Sequence, residues 1–270
     1  MSHDVITVAP TTAVLGAVIG GVDLTQPLSD RVLVEVTRAL MEHQVIFFRN
    51  QPMDPASLKR FGQYFGKLHI HSAMKGMDEH PEVRPLHADA NSKHVAGEEW
   101  HTDLSCDPVP PMGSILNIQV LPPLGGDTMF ASMYAAYDGL SDRMKAYLAG
   151  LTATHDGGKA FKRFNPNKEY NLSHHPIVRK HPVTGKKLIY VNRGFTTQID
   201  DVPEREGEDL LRFLFSHCEK AEYQTRFRWE KFSVAFWDNR CTQHLAIWDY
   251  FPHTRSGIRV QIEGDPVLAG

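Results

Sequence analysis

Cysteine, long apolar runs and excess positive charge are all scarce in this sequence. Its three cysteines, Cys106, Cys218 and Cys241, are far apart and form no CxxC pair, which is atypical of a disulfide-bonded secreted protein and favours a reducing cytoplasm. No stretch approaches the roughly 20 apolar residues that cross a bilayer, and residues 1–10 lack the basic and apolar segments of a signal peptide. The net charge of −3, without a basic stripe, gives no electrostatic basis for binding nucleic acid.

Length and composition fit one large globular domain. The chain has 270 residues, of which 41% are hydrophobic and 23% are charged. A chain of this size buries roughly 70–75% of the surface that it exposes when unfolded, which is enough for a closed core with an internal site. We therefore predict a single domain over residues 1–270.

Hydrophobic periodicity predicts a mainly β protein with flanking helices. Helices are predicted after the capping residues Ser29 and Ser141, after Asp54-Pro55, and over residues 208–218. Strands are predicted over residues 6–8, 13–19, 45–48, 114–121, 127–133, 188–192, 226–237 and 256–262. The polar residues 85–99 and 157–173 predict loops. Strands and helices do not alternate regularly, which argues against a doubly wound parallel sheet and favours a mostly antiparallel double-sheet barrel.

Two His-x-Asp motifs are candidates for binding a metal ion. In the later one, an extended backbone would direct His101 and Asp103 to the same side. Two imidazoles and one carboxylate on one face of an ion leave three positions open, as Fe(II) requires when it binds O2 and a chelating cosubstrate. His87 and Asp89 have the same spacing, and such motifs are common by chance. Context favours the later pair, because it follows Trp100 and precedes a well-defined strand.

A third metal ligand must come from a distant segment, because one strand cannot surround an ion. Residues 236–244 run from an apolar strand through a turn-forming Asp-Asn pair to His244. His244 is therefore the candidate for the third position.

Arg255 and Arg259 are candidates for binding anions. They are four residues apart, so both guanidinium groups face the same way on an extended strand. Inside a barrel they would need anions, which a dicarboxylate and an acidic substrate would supply. Surface ion pairs with Asp249 or Glu263 explain the two arginines equally well. Thr128 has a hydroxyl that could assist the same carboxylate, although a threonine on a strand is most often only a β-forming residue.

Together these segments resemble the taurine dioxygenase-like (TauD/TfdA) family of Fe(II)/2-oxoglutarate dioxygenases, in order and over nearly the whole chain. The matching segments are LGA at 15–17, GVDL at 21–24, HQVIFF at 43–48, FGKLHIH at 65–71, WHTD at 100–103, GGDT at 125–128, YVN at 190–192 and WDNR at 237–240, continuing through His244 to Arg259. Each motif alone is weak, but their common order is specific. It identifies residues 101–103 as the metal-binding motif.

The resemblance implies a double-stranded β-helix, or jelly-roll, core and a set of site residues. The iron ligands of the family match His101, Asp103 and His244, and its partners for the distal carboxylate of 2-oxoglutarate match Thr128 and Arg255. The substrate-side positions match His71, Phe195 and Arg259, the last of which meets the substrate's anion in sulfonate-using members. The implied reaction consumes 2-oxoglutarate and O2, hydroxylates a small molecule, and releases succinate and CO2. Family members often form dimers or tetramers.

Two substrate-side positions depart from the taurine-specific members, which have tyrosine in place of Met74 and asparagine in place of Gly97. Losing polar contacts typically costs a few kcal/mol of discrimination. We therefore expect a roomier, more apolar pocket for an alkyl sulfate, a larger sulfonate or an organic carboxylate. The alternatives are a zinc hydrolase, which would leave the paired arginines unexplained, and a non-catalytic jelly-roll binding protein.

Overall fold

A computed structural model describes residues 3–71 and 74–270. Residues 1 and 2, part of the stretch predicted to carry no signal peptide, lie outside the described residues. The helices are α1 (Asp30–His43), α2 (Pro55–Gln63), α3 (Met133–Asp138), α4 (Asp142–Leu148), α5 (Gly157–Phe161) and α6 (Glu204–Cys218). The strands are β1 (Thr7–Pro10), β2 (Ala17–Gly20), β3 (Val45–Phe48), β4 (Arg84–Ala88), β5 (Gly113–Val120), β6 (Thr128–Ser132), β7 (Thr152–Asp156), β8 (Leu172–Pro176), β9 (Val178–Lys180), β10 (Lys187–Ile189), β11 (Thr196–Ile199), β12 (Gln224–Phe227), β13 (Val234–Asp238), β14 (Thr242–Ala246), β15 (Arg255–Ile262) and β16 (Leu268–Ala269). The predicted mainly β class with flanking helices is confirmed.

The largest sheet has seven strands in the order β1-β2-β3-β13-β5-β15-β4. Its neighbouring strands are antiparallel, except for β2 and β3, which run parallel. Strands that are distant in the chain pair at its centre, where β5 lies between β13 and β15. The C-terminal strands therefore lie next to the strand that follows the later His-x-Asp motif.

A three-stranded antiparallel sheet, β12-β6-β14, packs on one face of the large sheet. Aromatic rings join the two sheets, since Phe130 in β6 lies 5.6 Å from Trp237 in β13 and 5.7 Å from Phe47 in β3. Phe47 also stacks on Phe227 in β12, with ring centroids 3.8 Å apart. This buried aromatic layer lies beside β14, which carries His244.

Helices α1 and α2 cover the other face of the large sheet. Their apolar residues pack in one buried cluster with residues of the sheet, including Val36, Leu40, Ile46, Phe48, Leu58, Phe61, Phe236 and Val260. Because β3 is covered on both faces, it is buried at all four positions and is a continuous apolar run in the sequence. No helix in the described part of the chain is long and apolar enough to cross a bilayer.

The remaining strands form two smaller antiparallel sheets, β11-β7-β8 and β10-β9-β16. Residues of these sheets, of α3 and of α6 share a separate buried cluster. Trp100, which precedes the later His-x-Asp motif, belongs to this cluster.

Three of the predicted helix starts are confirmed, because a side chain at each accepts an otherwise unpaired backbone N–H. Ser29 caps α1 and Ser141 caps α4. At α2, Asp54 accepts the N–H of Ser57 at 2.7 Å, and the Ser57 hydroxyl accepts the N–H of Asp54 at 3.0 Å. This reciprocal pair is a capping box.

The two predicted loops are partly wrong. Residues 85–99 begin within β4, which pairs with β15 at the edge of the large sheet. The alternation of apolar and polar residues that predicts a strand was hidden here, because Arg84 occupies an inward position. Pro85 is tolerated because it is exposed on an edge strand. Residues 157–173 begin with α5 and end in β8.

Two strand predictions are also wrong in their extent. Residues 226–237 form two strands, β12 and β13, which belong to different sheets. Residues 13–19 form a strand only from Ala17, because a turn held by the Thr12 hydroxyl precedes it. In both cases, the apolar residues that suggested one continuous strand continue through a turn.

Replacing Asp54 with alanine should lower the free energy of unfolding by about 1 kcal/mol, the usual cost of losing a helix cap. Asp54→Asn is the matched control, because its amide oxygen can still accept the Ser57 N–H. Urea unfolding followed by circular dichroism measures both variants. Equal losses would show that the charge of Asp54, and not the cap, stabilises this end of α2.

Candidate active site

His101, Asp103 and His244 meet at one buried point. The Nε2 atom of His101 lies 3.6 Å from Oδ1 of Asp103, and Nε2 of His244 lies 3.9 Å from the same oxygen. Ligands that bind one ion at about 2.0–2.2 Å lie no more than about 4.4 Å from each other. The three side chains therefore fit a divalent metal ion.

Backbone pairing holds the two histidines side by side. The N–H of His101 donates to the carbonyl oxygen of His244 at 3.1 Å, and the N–H of His244 donates to that of His101 at 2.8 Å. Their ring centroids are 4.0 Å apart. Asp103 follows two residues later and turns to the same side, as the spacing predicted.

Further hydrogen bonds orient His101 and Asp103. The Nδ1 atom of His101 lies 2.8 Å from the carbonyl oxygen of Glu99, so Nδ1 carries the proton and Nε2 offers its lone pair. Ser114 donates to Oδ2 of Asp103 at 2.6 Å and accepts from Asn239 at 2.9 Å. Partners of this kind fix metal ligands in place. The bond to Ser114 gives Asn239 a role, which is to hold the hydroxyl that orients Asp103. The resemblance to the family had matched Asn239 without assigning it a role.

Burial and neighbouring charges set the ionisation of the ligands. Burial opposes ionisation of Asp103, but the charge of the Arg259 guanidinium outweighs it and holds the pKa of Asp103 well below its ordinary value. Burial, with His101 and Arg259, holds the pKa of His244 well below its ordinary value. A carboxylate and a neutral imidazole, the forms that bind metal, are therefore present at neutral pH.

A second buried cluster of potential metal ligands, His181, Asp238 and Cys241, has its hydrogen bonds satisfied internally. Asp238 accepts two bonds from Arg240, at 2.8 and 2.7 Å, and lies 3.1 Å from Nε2 of His181. The Nδ1 atom of His181 accepts two backbone N–H groups, so its Nε2 carries a proton. This cluster is a structural support and not a metal site.

Arg255 and Thr128 form a polar pocket in the same cavity as the triad. The Nε atom of Arg255 donates to the carbonyl oxygen of Gly126 at 3.0 Å, whereas Nη2 is buried without a hydrogen-bond partner among the described residues. The Trp229 indole donates to the Thr128 hydroxyl at 3.0 Å, which leaves the hydroxyl proton to be donated elsewhere. These are the donors that a carboxylate binds.

The alternative interpretation of the two arginines as surface ion pairs is wrong, because both are buried and Asp249 and Glu263 bond elsewhere. Arg259 donates to both carboxylate oxygens of Asp103, at 3.1 and 3.3 Å. Its Nε is buried without a partner in residues 3–71 and 74–270. Arg259 therefore touches the metal triad directly, as well as the space where a substrate would lie.

All ten residues that the sequence suggested for the site line one cavity of about 150 Å³. They are His71, Met74, Gly97, His101, Asp103, Thr128, Phe195, His244, Arg255 and Arg259. Because they come from widely separated parts of the chain, only folding brings them together.

The substrate-side residues combine apolar and polar surface. Burial, with Arg84 and Arg259, lowers the pKa of His71 to about 2, so its imidazole is neutral. The Met74 sulfur lies 3.1 Å from Nη1 of Arg84. The Phe195 ring lies 6.4 Å from that of His101 and lines the cavity.

Gly97 brings the backbone itself against the metal triad. Its φ is +86°, and a Cβ at this position would lie 2.9 Å from Cε1 of His101. Its carbonyl oxygen accepts the N–H of Ala246 at 2.8 Å. The glycine therefore sets the path of the chain past His101, which is more than the missing side chain that the sequence comparison suggested.

Sequence reasoning missed Arg84 and Trp229, both of which line the cavity. Arg84 lies directly opposite Arg259 in the pairing of β4 with β15. The sequence did carry a signal for Arg84. Residues 84, 86 and 88 lie on the same side of an extended strand, and Leu86 and Ala88 are apolar, which indicates that this side is buried. Nothing in the sequence singled out Trp229.

The earlier His-x-Asp motif lies outside this cavity. His87 and Asp89 lie 3.5 Å apart, and the His87 side chain is half exposed. His87 points away from the side that Arg84 and Ala88 occupy. The structure therefore brings only the later motif to His244.

Residues 7–261 match the family described as taurine catabolism dioxygenase TauD, TfdA family. The chain belongs to this family. An alpha-ketoglutarate-dependent sulfonate dioxygenase of Saccharomyces cerevisiae is 34% identical over 88% of this chain, which spans 62% of that relative's length. An alpha-ketoglutarate-dependent sulfate ester dioxygenase of Pseudomonas putida is 30% identical over 96% of this chain and 89% of its own length.

A solved structure of a TauD/TfdA relative agrees with the fold. The crystal structure of a taurine dioxygenase from Burkholderia xenovorans has a TM-score of 0.88 at 36% identity, covering 98% of this chain and 93% of its own. The predicted family is confirmed. The predicted enzyme class is confirmed too, because the family is made up of dioxygenases that use 2-oxoglutarate, also called alpha-ketoglutarate.

Replacing His101 or Asp103 with alanine should weaken the binding of a divalent metal ion by at least about 100-fold, because even supporting residues of metal sites contribute about 10–100-fold. Calorimetric titration with Mn(II) measures this without turnover. His87→Ala is the matched control and should bind metal as the unaltered protein does. An equal loss in His87→Ala would overturn the choice of the later motif.

Proposed function

We propose that this protein is an Fe(II)- and 2-oxoglutarate-dependent dioxygenase that hydroxylates a small anionic organic molecule. One observation supports this above the others: a buried triad of two histidines and an aspartate shares a cavity with an arginine that has a free N–H donor. This donor set is that of non-haem Fe(II) oxygenases, and it leaves positions free for O2 and a chelating cosubstrate.

In this proposal His101, Asp103 and His244 hold the iron. Bound there, iron and 2-oxoglutarate would supply the oxidising chemistry, with O2 consumed and succinate and CO2 released. Glu99 and Ser114 keep the ligands oriented through the hydrogen bonds to His101 and Asp103. The chain's own contribution is thus a ligand set held in a fixed orientation.

The distal carboxylate of 2-oxoglutarate binds Arg255 and Thr128 in this proposal. Nη2 of Arg255 and the Thr128 hydroxyl supply the donors, while Gly126 and Trp229 occupy their other bonding positions. The cosubstrate would therefore meet donors that are already oriented, which reduces the ordering that binding requires.

Apolar side chains of the same cavity exclude water from the reacting atoms. Phe195, Trp237 and Leu116 line it. Excluding water prevents side reactions of a strong oxidant and strengthens the electrostatic interactions inside the site.

We further propose that residues 1–270 are one domain with a jelly-roll core. The support is the packing of the β12-β6-β14 sheet on the seven-stranded sheet, with Phe130 and Trp237 between them. The homo-oligomeric state and the cytoplasmic location stay predictions.

Two observations support the substrate class. Arg259 is placed to meet an acidic head group, and the names of two relatives state which acids they act on. The yeast relative is named for sulfonates and the Pseudomonas relative for sulfate esters. Met74 and Gly97 have no side-chain hydroxyl or amide that could bond an amino group. We therefore propose an alkyl sulfate or a sulfonate larger than taurine, with organic carboxylates a less complementary class.

The protein supplied with Fe(II), 2-oxoglutarate and a panel of alkyl sulfates, sulfonates and carboxylates should form succinate only when O2 and a suitable substrate are present. Taurine should be among the poorer substrates. Removing the metal with a chelator should abolish succinate formation, and Fe(II) should restore it. Hydrolysis of a substrate by the zinc-loaded protein without O2 would instead support a zinc hydrolase.

Arg255→Ala should raise the KM for 2-oxoglutarate by at least about tenfold and change the KM of the organic substrate little, because hydrogen bonds to charged groups contribute about 1.5–3 kcal/mol. Steady-state rates of succinate formation measure both constants. Arg226→Ala is the control, because it removes a half-exposed arginine that does not line the cavity. A rise confined to the KM of the organic substrate would mean that Arg255 and Arg259 have exchanged roles.

A further inference from the structure

Arg84 and Arg259 face each other across the pairing of β4 with β15. They are direct partners in register, and both side chains line the cavity. Arg84 is 6% exposed and Arg259 is 7% exposed. Opposite residues in a ladder have Cβ atoms about 4.5–5.5 Å apart, and like charges there destabilise the sheet. Conflicts of this kind are expected where a ligand relieves them.

Arg84 has no acidic partner among residues 3–71 and 74–270. Its Nη1 donates to the sulfur of Met74 at 3.1 Å, which is a weak acceptor, and its Nε is buried without a partner. Asp103 forms its ion pair with Arg259, and its charge acts on Arg84 only from beyond ion-pair distance. The Nε of Arg259 is also buried without a partner. Burying a guanidinium group without an anion is strongly unfavourable, so this pair is suited to receive one.

The other charges at the cavity do not compensate these two arginines. In the complex proposed above, the charges of Fe(II) and Arg255 cancel those of Asp103 and 2-oxoglutarate. The remaining acidic and basic side chains of the wall are equal in number and opposite in sign: Glu98, Glu99, Lys159 and Arg163. Arg84 and Arg259 therefore retain two positive charges that the substrate must balance.

We propose that Arg84 and Arg259 together bind the acid group of the substrate, and that this group carries three oxygens, as in sulfonates, sulfate monoesters and phosphonates. This inference rests on the proposed function for the identity of the site. One guanidinium group already satisfies a planar carboxylate with two parallel bonds. A tetrahedral acid group has a third oxygen outside that plane, so it can present oxygens to the guanidinium groups of both facing strands more directly than a planar carboxylate can. Arg84 is thus a specificity-determining residue.

The test compares acids that share an apolar chain and differ in the head group. Hexanesulfonate, hexyl sulfate, hexylphosphonate and heptanoate are titrated by calorimetry into the protein loaded with Fe(II) and 2-oxoglutarate under nitrogen. The unaltered protein should bind the three-oxygen acids at least about tenfold more tightly than heptanoate. Comparing the sulfonate with the phosphonate shows whether the site favours one negative charge or two.

Arg84→Met should lower the affinity for the three-oxygen acids by at least about tenfold and change that for heptanoate by less than about threefold. The affinity for 2-oxoglutarate should not change. Arg84→Lys keeps the charge without the planar fork and should restore part of the loss. Arg212→Met, which removes an exposed arginine of α6, is the matched control and should have no effect.

Unchanged binding of the three-oxygen acids to Arg84→Met, or an equal loss of heptanoate and 2-oxoglutarate, would overturn the proposal. Should Arg84→Met fail to fold by circular dichroism, Arg84→Lys replaces it: a weaker head-group preference than in the unaltered protein supports the proposal, and an unchanged preference overturns it. Failure of the unaltered protein to bind 2-oxoglutarate would count against the proposed function. Titrating the acids into metal-free protein would then still test the two arginines.

Discussion

The antiparallel pairing of His101 with His244 is the interaction on which the site depends. Two backbone hydrogen bonds join a short extended segment to β14 and set the imidazoles side by side. A separate backbone hydrogen bond, outside this register, joins the two segments again, where the N–H of Ala246 donates to the carbonyl oxygen of Gly97. Phe130 and Trp237 pack against the His244 ring, at 6.0 and 4.7 Å. A side chain that must bind an ion at a fixed position is therefore held by its backbone and by the core together.

Two buried pairs of arginine and aspartate show how similar chemistry has different consequences in this fold. Asp238 and Arg240 complete each other's bonds with the help of His181, so the group supports the turn between β13 and β14. Arg259 bonds Asp103 with only part of its guanidinium group, and its Nε remains unpaired. The first pair contributes rigidity. The second keeps bonding capacity for a ligand, at a cost in stability that a functional site can sustain.

The ligands and the helices could be predicted from the sequence, because each leaves a local signal. The helices have apolar residues on one face and polar residues on the other, and they begin after the capping residues Ser29, Asp54 and Ser141. The ligands lie in short segments whose order follows a known family. Family order, and not the spacing of His and Asp, separated His101 from His87, since both motifs have the same spacing.

What could not be predicted depends on contacts between distant segments. Strand β4 was missed because its inward side carries a charged residue, which periodicity analysis interprets as exposure. Only the pairing with β15 reveals that Arg84 is buried beside Arg259. The bond from Arg259 to Asp103 likewise joins residues with no sequence relation. Charged side chains turned inward are thus the part of this protein that composition and periodicity describe least well.

The close approach of Gly97 to His101 also limits how this protein can exchange specificity with its relatives. A Cβ 2.9 Å from the imidazole has no room unless the backbone moves, and the backbone here is tied to β14 through Ala246. An asparagine at this position would therefore require a different path of the chain past His101. Grafting a side chain at this one position would displace the His101 imidazole before it altered the rest of the pocket. The segment around Gly97 and β14, with which it pairs, therefore have to be exchanged together.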